Sequence, residues 1–236
     1  MSLVQRMVVV LGLLGLLQPA LAGDEQQGEQ HLRPDQVRVK ITRTIPWVDV
    51  DHFGETIRVM RIQDEDHRLT DDFARTSRPC PPFCIHPMEA APGVKTVGEL
   101  ELLDFVTHEV KKGSGILIDA RMPSWYETET IPGAINMPHV IFTTPSRQRE
   151  QVLKLLGGVR NKQGKWTFGA NVPTLLLFCN GPWCDQSPHA IQELIKLGYP
   201  AGKLLYYRGG MQMWKLLGLT TVVPSPIMVD DEEEEE

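Results

Sequence analysis

Apolar residues in the second half of the chain fall into short continuous runs separated by helix-like segments. Ile116 to Ile118 and Thr174 to Phe178 are continuous runs, typical of parallel strands covered on both faces. Leu204 to Tyr207 is a third strand-like segment. Strands that alternate with helices predict an α/β fold, with a central, largely parallel sheet flanked by helices.

Four helical segments are predicted around these strands from apolar spacing and from glycines at their ends. The capping-box pattern Thr96 to Glu99 begins the first. A turn is predicted at residues 161–164, between Val159 and the short segment at residues 166–168. The predicted helices are one with Leu100, Leu103, Val106 and Val110 on a shared face that ends at Gly113, one from Pro145 that buries Val152, Leu153 and Leu156 and ends at Gly157-Gly158, one that follows Ser187, and one near Met211 to Leu217 that ends at Gly218.

The first half of the chain has strand periodicity but no long helix. Val37, Val39 and Ile41 alternate with polar residues, and a second alternation through Ile57, Val59 and Arg61 follows the turn-like residues 51–54. We therefore expect a small β-rich extension over residues 36–95.

A proline-rich segment, SRPCPPFCIHPM at residues 77–88, ends this extension. Its four prolines exclude a regular helix or sheet and predict a rigid loop. The Cys80 and Cys84 spacing suits a local disulfide, and adding His86 gives too few ligands for a tetrahedral metal site. We hypothesise that this loop covers the pocket of Cys179 and restricts its substrates.

The first 22 residues have the pattern of a secretory signal peptide. Arg6 is followed by an apolar stretch and by Ala20-Leu21-Ala22, a small-residue cleavage pattern. Cleavage predicts a periplasmic or secreted protein without a stable membrane span, although an uncleaved anchor remains an alternative. Disulfides persist in such compartments.

Length and composition predict one globular core with additions. The chain has 236 residues, of which 42% are hydrophobic. The predicted segments are a signal peptide at residues 1–22, a flexible leader at 23–35, the β-rich extension at 36–95, the main domain at 96–223 and a disordered acidic tail at 224–236.

Charge excludes a nucleic-acid partner. The net charge is −6, and seven carboxylates are concentrated at residues 230–236. The remaining chain has no basic excess that would bind nucleic acid or anionic lipid. The acidic tail is expected to stay solvated.

Cys179 is the main candidate for chemistry because it directly follows a predicted buried strand. Ser187 is predicted as the N-cap of the next helix, with Pro188 at its first position. Loop amides and a helix start favour the thiolate, which is the nucleophilic form of cysteine. The alternative is an inert, packed cysteine.

Four ordered motifs resemble the rhodanese family over residues 96–223. They are Leu117 to Arg121, Ile131 to Pro138, the Cys179 loop, and Tyr207 to Trp214 with Gly218. The resemblance implies a sulfurtransferase without a cofactor or a metal, in which Cys179 carries sulfane sulfur as a persulfide. Its partners would be a small sulfane donor or a protein persulfide, and a thiol or other thiophilic acceptor.

The resemblance also assigns supporting roles. Asp119 and Arg121 match the family's strand-end pair, which we interpret as structural. The active-site loop is Asn180, Gly181, Pro182, Trp183, Cys184 and Asp185.

This loop departs from family members that use thiosulfate well, which tend to carry cationic side chains in or beside it. No cation is found there in this sequence, Asp185 is acidic, and Pro182 removes an amide donor. A less charged donor is therefore expected. Related cell-cycle phosphatases need an arginine where Asp185 stands, which argues against phosphatase activity.

Two other functions remain open. Cys184 suggests dithiol redox chemistry with Cys179, and a non-catalytic binding module would use the extension and the tail. Trp166 and Trp214 are expected to pack in the core, while Trp183 suits a pocket lip or a partner contact. His189 is expected to be solvated, and the orientation of His139 stays open.

Overall fold

The computed structural model describes residues 32–224. The predicted signal peptide at 1–22, most of the leader at 23–35 and nearly all of the acidic tail at 224–236 lie outside the described residues. No helix within residues 32–224 is long and apolar enough to cross a membrane.

A five-stranded parallel sheet forms the centre of the described chain. Its strands, in spatial order, are β3 (Lys95–Val97), β9 (Leu204–Tyr207), β8 (Thr174–Phe178), β4 (Gly115–Asp119) and β5 (Ala134–Asn136). Every neighbouring pair is parallel. The predicted α/β fold is confirmed.

Strand register brings the functional segments to one edge of this sheet. Phe178 is paired with Asp119 on one side and with Tyr207 on the other. The residues after these positions therefore leave the sheet side by side at its carboxyl edge, where ligands bind in open α/β sheets.

Helices cover the sheet on both faces. They are α1 (Glu99–Phe105), which continues as a π-helix over Val106–Val110, α2 (Pro123–Tyr126), α3 (Val140–Thr143), α4 (Arg147–Leu155), α5 (Gln186–Lys196) and α6 (Gly210–Leu216). Two short 3₁₀ turns occupy Asp72–Ala74 and Ala201–Lys203. A separate antiparallel pair, β6 (Gly158–Arg160) and β7 (Trp166–Phe168), flanks the predicted turn at 161–164.

The first core cluster joins the extension to the sheet. Val50 and Val59 of the extension are buried with Leu102, Phe178 and Trp214 of the main domain. The other cluster includes Leu153, Ile191 and Tyr206. The N-terminal strands therefore complete a core of the main domain instead of forming a core of their own.

The predicted β-rich extension is a single hairpin. Strands β1 (Trp47–His52) and β2 (Glu55–Met60) pair antiparallel around Phe53 and Gly54. Both turn residues have positive φ, 53° and 87°, which is the conformation of the tight turn that matches strand twist.

The predicted strand through Val37, Val39 and Ile41 is wrong. No strand precedes Trp47 in the described chain. The Gln63 side chain instead accepts hydrogen bonds from the Arg38 and Val39 N–H groups and donates one to the Val39 carbonyl. The side chain of a residue distant in sequence thus provides the hydrogen-bond partners of this backbone segment. The alternation of apolar and polar residues alone would instead predict that a neighbouring strand provides them.

Helix α1 also differs in its start and in its buried face. Thr96 lies in β3, while Gly98 is the cap and its N–H donates to the Glu101 carboxylate at 3.0 Å. Leu100 is 51% exposed, and Leu102 is buried in its place. Leu103 and Val106 are buried as predicted, so the difference is confined to the start of the helix and to Leu100.

Candidate active site

Cys179 lies at the carboxyl edge of the sheet, in the loop between β8 and α5. The Cys179 and Asn180 carbonyls accept hydrogen bonds from the Met211 and Gln212 N–H groups at 3.0 and 2.8 Å. Glycine at position 210 allows the two backbone segments to lie this close, since a Cβ atom there would lie 2.3 Å from the Cys179 carbonyl oxygen. Its φ of 55° also favours glycine. The start of α6 therefore fixes the reactive loop.

Hydrogen bonds surround the Cys179 sulfur. The Ser187 hydroxyl donates to Cys179 Sγ at 3.0 Å, and the Cys179 thiol donates to the Cys184 carbonyl at 3.3 Å. Burial raises the pKa of the Cys179 thiol, but hydrogen bonds from Cys184, Ser187 and the Gly181 backbone outweigh burial and lower the pKa below its ordinary value. The groups that hydrogen-bond to the Cys179 sulfur thus stabilise its thiolate form.

Ser187 has a different role from the predicted one. Asp185 occupies the cap position of α5, and Ser187 lies in the first turn with its hydroxyl directed at the sulfur. The Ser187-Pro188 pattern predicted a helix start two residues after the observed one, but the side-chain partner of Ser187 could not be predicted from local sequence.

Cys184 is the other free cysteine among the described residues, and the pKa of its thiol is shifted in the opposite direction from that of Cys179. It is 7% exposed, and its thiol donates to Gln186 Oε1 at 3.7 Å. The hydrogen bond with Cys179, burial and the negative charge of Cys179 raise the pKa of the Cys184 thiol well above its ordinary value. The pair therefore consists of one thiol that ionises readily and one that holds its proton.

The Asp119 and Arg121 side chains form a fully buried ion pair, with Arg121 Nη2 2.6 Å from Asp119 Oδ2. Arg121 Nη1 also donates to Asn180 Oδ1 at 3.4 Å, and Nη2 donates to the Glu129 carbonyl. Thr130 donates to the same carboxylate at 2.8 Å. Because neither charged group contacts Cys179, this arrangement orients the loop through Asn180.

The proline-rich segment at residues 77–88, called the strap below, packs against the Cys179 loop. The His86 N–H donates to the Pro182 carbonyl at 2.8 Å, and the Phe83 ring meets the Trp183 ring edge-on at 5.6 Å. Within the strap the structure joins Cys80 and Cys84 by a disulfide, with their Cα atoms 4.7 Å apart. The strap thus lies against Pro182 and Trp183 of the loop, and its restriction of the substrates of Cys179 stays a prediction.

The expectation that no cation lies beside the loop is wrong. The Arg78 guanidinium lies 4.2 Å from the centroid of the Trp183 ring. Arg208 is close as well, since it donates to the His86 carbonyl at 2.8 Å and to the Pro87 carbonyl at 3.1 Å. Arg78 reaches the loop across about a hundred residues of chain, so loop composition could not reveal it.

Two further side chains near the loop have buried polar atoms without a partner. One is His139 Nδ1, and the other is the Tyr206 hydroxyl. Burial lowers the pKa of His139, partly opposed by Asp185. Burial and then the negative charge of Cys179 raise the pKa of Tyr206. Tyr206 was not predicted, although its register with Leu177 places it on the same sheet face as Cys179.

The remaining candidates occupy ordinary positions. Trp166 and Trp214 are buried in the core clusters, and His189 is exposed. The Trp183 ring of the loop lies against the Phe83 ring of the strap. Within residues 32–224, no group of three or more His, Cys, Asp or Glu side chains could hold a metal ion.

Access to the sulfur is restricted. Cys179 is only 2% exposed. A cavity of about 460 Å³ lies beside Arg121 and Trp125, but Cys179 is not among its lining residues. The Cys179 thiol is therefore almost fully shielded from solvent in this structure.

Residues 103–217 match the family model described as the rhodanese-like domain. Among solved structures, a rhodanese-related protein from Thermoplasma volcanium is 17% identical, with 55% of this chain and 99% of that chain covered and a TM-score of 0.37. A human single-domain sulfurtransferase is 22% identical, with 52% and 96% covered and a TM-score of 0.35. A thiosulfate sulfurtransferase from Pseudomonas aeruginosa is 19% identical, with 57% and 21% covered and a TM-score of 0.36. Comparison with the curated proteins finds no match.

Proposed function

We propose, from the premise that residues 103–217 form a rhodanese-like domain, that this protein is a sulfurtransferase that carries sulfane sulfur as a persulfide on Cys179. The observation that supports it most is the hydrogen-bonded Cys179 sulfur, which accepts from Ser187 and has a lowered pKa. A thiolate at this position is the nucleophile that the reaction needs.

The reaction has two displacement steps. The Cys179 thiolate attacks the sulfane sulfur of the donor, a sulfur–sulfur bond forms, and the rest of the donor leaves with the electron pair of the broken bond. An acceptor thiolate then attacks the outer sulfur, and the Cys179 thiolate leaves. The loop amides and the Ser187 hydroxyl stabilise the anionic sulfur in both steps.

The proposed donor is a small sulfane compound of low charge or a persulfide on another protein. The acidic side chain of Asp185 disfavours a dianion, and Pro182 supplies no amide donor. Arg78 supplies a positive charge at Trp183, so the lip of the site tolerates one negative charge better than two.

Intact-mass measurement tests the proposal. The purified protein is exposed to polysulfide or thiosulfate and compared with Cys179→Ala and Cys184→Ala. We expect a reducible gain of one sulfur atom that needs Cys179 and survives loss of Cys184. A protein that gains no sulfur from either donor, or gains it equally without Cys179, would contradict the proposal.

Dithiol redox chemistry is the second candidate because Cys184 is the other free cysteine of the loop and the Cys179 thiol donates to its carbonyl at 3.3 Å. In that case the intact mass of the same samples falls by two hydrogen atoms as the disulfide forms, and this change requires both cysteines. A rhodanese-like binding module without catalysis is the third candidate, and it predicts no change in mass.

We also propose that the protein is exported after cleavage of residues 1–22, on the basis of the small-residue pattern at Ala20 to Ala22. The expected product begins at Gly23 and is found outside the cytoplasm. N-terminal sequencing of the protein from a fractionated host tests this, and an intact N-terminus in the cytoplasmic fraction would contradict it.

A further inference from the structure

The four cysteines of the chain lie on two loops that contact each other. Phe83 precedes Cys84, Trp183 precedes Cys184, and the two rings meet at 5.6 Å. The backbone hydrogen bond from His86 to Pro182 joins the same two loops. The loop that carries the disulfide and the loop that carries the Cys179 and Cys184 dithiol are therefore in direct contact, although about a hundred residues separate them in sequence.

The four sulfurs also differ in their exposure to solvent. Cys80 is exposed and Cys84 is half-buried. Cys184 is 7% exposed and Cys179 is 2% exposed. An oxidant or a thiol in solution therefore meets the strap pair first, while the inner pair is shielded by the strap.

We propose that the Cys80–Cys84 disulfide is the internal electron acceptor for the Cys179 and Cys184 dithiol, so that the four cysteines form one thiol–disulfide relay. Cys184 first loses its proton to solvent and attacks Cys84 as a thiolate, the Cys184–Cys84 bond forms, and Cys80 leaves as a thiolate; because the pKa of Cys184 is raised, this first step sets the rate of the relay. Cys179 then attacks Cys184, and Cys84 leaves. Two electrons pass from the inner pair to the strap, and the two protons that the inner thiols lose are taken up by Cys80 and Cys84.

Fixed contacts hold the two loops together and favour exchange between them. Arg208 binds the His86 and Pro87 carbonyls, and the Arg78 guanidinium lies over both the Phe83 and Trp183 rings. Because both loops belong to one chain and are held against each other, exchange between their cysteines is intramolecular and needs no second molecule.

The relay goes beyond sulfur transfer and does not require it. When Cys179 is joined to Cys184, its sulfur is no longer a nucleophile, so the relay would switch off persulfide formation. The exposed strap would thereby report the redox state of the surroundings to a buried thiol.

Limiting oxidation of the fully reduced protein tests the relay. One equivalent of diamide is added, and acid-quenched samples are mapped by differential alkylation and mass spectrometry. We expect the Cys80–Cys84 disulfide first, then a Cys179–Cys184 disulfide that appears as the strap disulfide is lost, at a rate independent of protein concentration. In the Cys80→Ser and Cys84→Ser double variant, the inner disulfide should form at least tenfold more slowly.

An inner disulfide that forms equally fast or faster in that double variant would overturn the relay, as would a wild-type protein whose strap disulfide never transfers. Thermal unfolding of both proteins checks that the variant remains folded. Sulfur loading of Cys179 from polysulfide is measured on the reduced protein separately. Its failure would count against sulfurtransferase activity and leave the disulfide map unaffected.

A trapping pair of variants gives a second test that does not depend on removing the strap sulfurs together. Cys80→Ser with Cys179→Ser leaves Cys84 and Cys184, and Cys84→Ser with Cys179→Ser leaves Cys80 and Cys184 as the matched control. Under diamide, we expect an intramolecular Cys84–Cys184 disulfide in the first and at least tenfold less bridging in the second. Only intermolecular disulfides, or equal bridging in both, would contradict the proposed order of attack.

Discussion

A single hydroxyl group contributes strongly to the chemistry expected of Cys179. The Ser187 side chain is fully buried and donates to the sulfur at 3.0 Å, in surroundings where burial by itself would favour the neutral thiol. A hydrogen bond to a charged group in such a place is worth about 1.5–3 kcal/mol. This residue therefore contributes to the lowering of the Cys179 pKa, together with the backbone donors.

Ser187→Ala should raise the pKa of Cys179, because the anion loses a donor that the neutral thiol needs less. Titration of the thiolate absorbance measures the pKa, and the thiolate fraction at neutral pH should fall. Ser146→Ala, which removes the cap of α4, is the control and should leave this titration unchanged. An unaltered pKa in Ser187→Ala would show that the backbone donors suffice.

The buried pair of Asp119 and Arg121 makes a different contribution, which is structural. Asp119→Asn should lower the free energy of unfolding by about 3–5 kcal/mol, because the Arg121 charge would remain buried without its counter-ion. Urea unfolding measures the change. Glu150→Gln, which breaks the exposed pair with Arg160, is the matched control and should cost less than about 1 kcal/mol. Equal losses in both variants would contradict the structural role.

Among the elements, the strap is the one whose role could least be predicted from sequence. Prolines correctly indicated a loop without regular structure, and the hypothesis that it covers Cys179 agrees with the His86 to Pro182 hydrogen bond. The contacts that hold it come from Arg208 and Trp183, which lie far away in the chain. Local patterns carry no signal for such pairings.

Phe83→Ala should expose the loop, because it removes the edge-on contact with Trp183. A loss of about 0.5–1.5 kcal/mol from such a pair corresponds to a roughly two- to tenfold rise in the rate at which Cys179 is alkylated. Mass spectrometry of the Cys179 peptide measures this rate. Ile85→Ala removes a neighbouring side chain that is 84% exposed and should leave the rate unchanged. A rate that does not rise in Phe83→Ala would mean that the strap does not limit access.

At the scale of the whole molecule, the sheet and the position of Cys179 were predictable because both depend on local patterns. Continuous apolar runs give β4 and β8, and the residue after a buried strand necessarily lies at the sheet edge. The segment at 37–41 was predicted wrongly because its backbone partner, Gln63, lies outside the local pattern. Long-range partners therefore mark the limit of prediction from sequence.

The extension is part of the main fold rather than an appendage. The Met60 carbonyl accepts from the Thr220 N–H at 3.0 Å, and the Ile62 N–H donates to the Gly218 carbonyl at 2.7 Å. Val50 and Val59 are buried in the same cluster as Trp214. The first half of the chain thus closes one face of the core.

A fragment of residues 96–224 should therefore be less stable than residues 32–224 by at least about 3–6 kcal/mol, since burial of each lost valine contributes about 1.5–3 kcal/mol. Thermal and urea unfolding of the two fragments measure the difference. The matched control lacks only residues 32–35, which are outside the hairpin and the core. Comparable stability of the shorter fragment would contradict a shared core.

The close contact at Gly210 also determines the direction from which Cys179 can be reached. Because the start of α6 lies against the Cys179 carbonyl without room for even a methyl group, the reactive loop cannot swing toward that helix. The sheet blocks approach from below, and the first turn of α5 holds the sulfur from the side through Ser187. The strap contacts the same loop at Pro182 and Trp183, so a change in the strap should alter which molecules reach Cys179 without altering the groups that hold its sulfur.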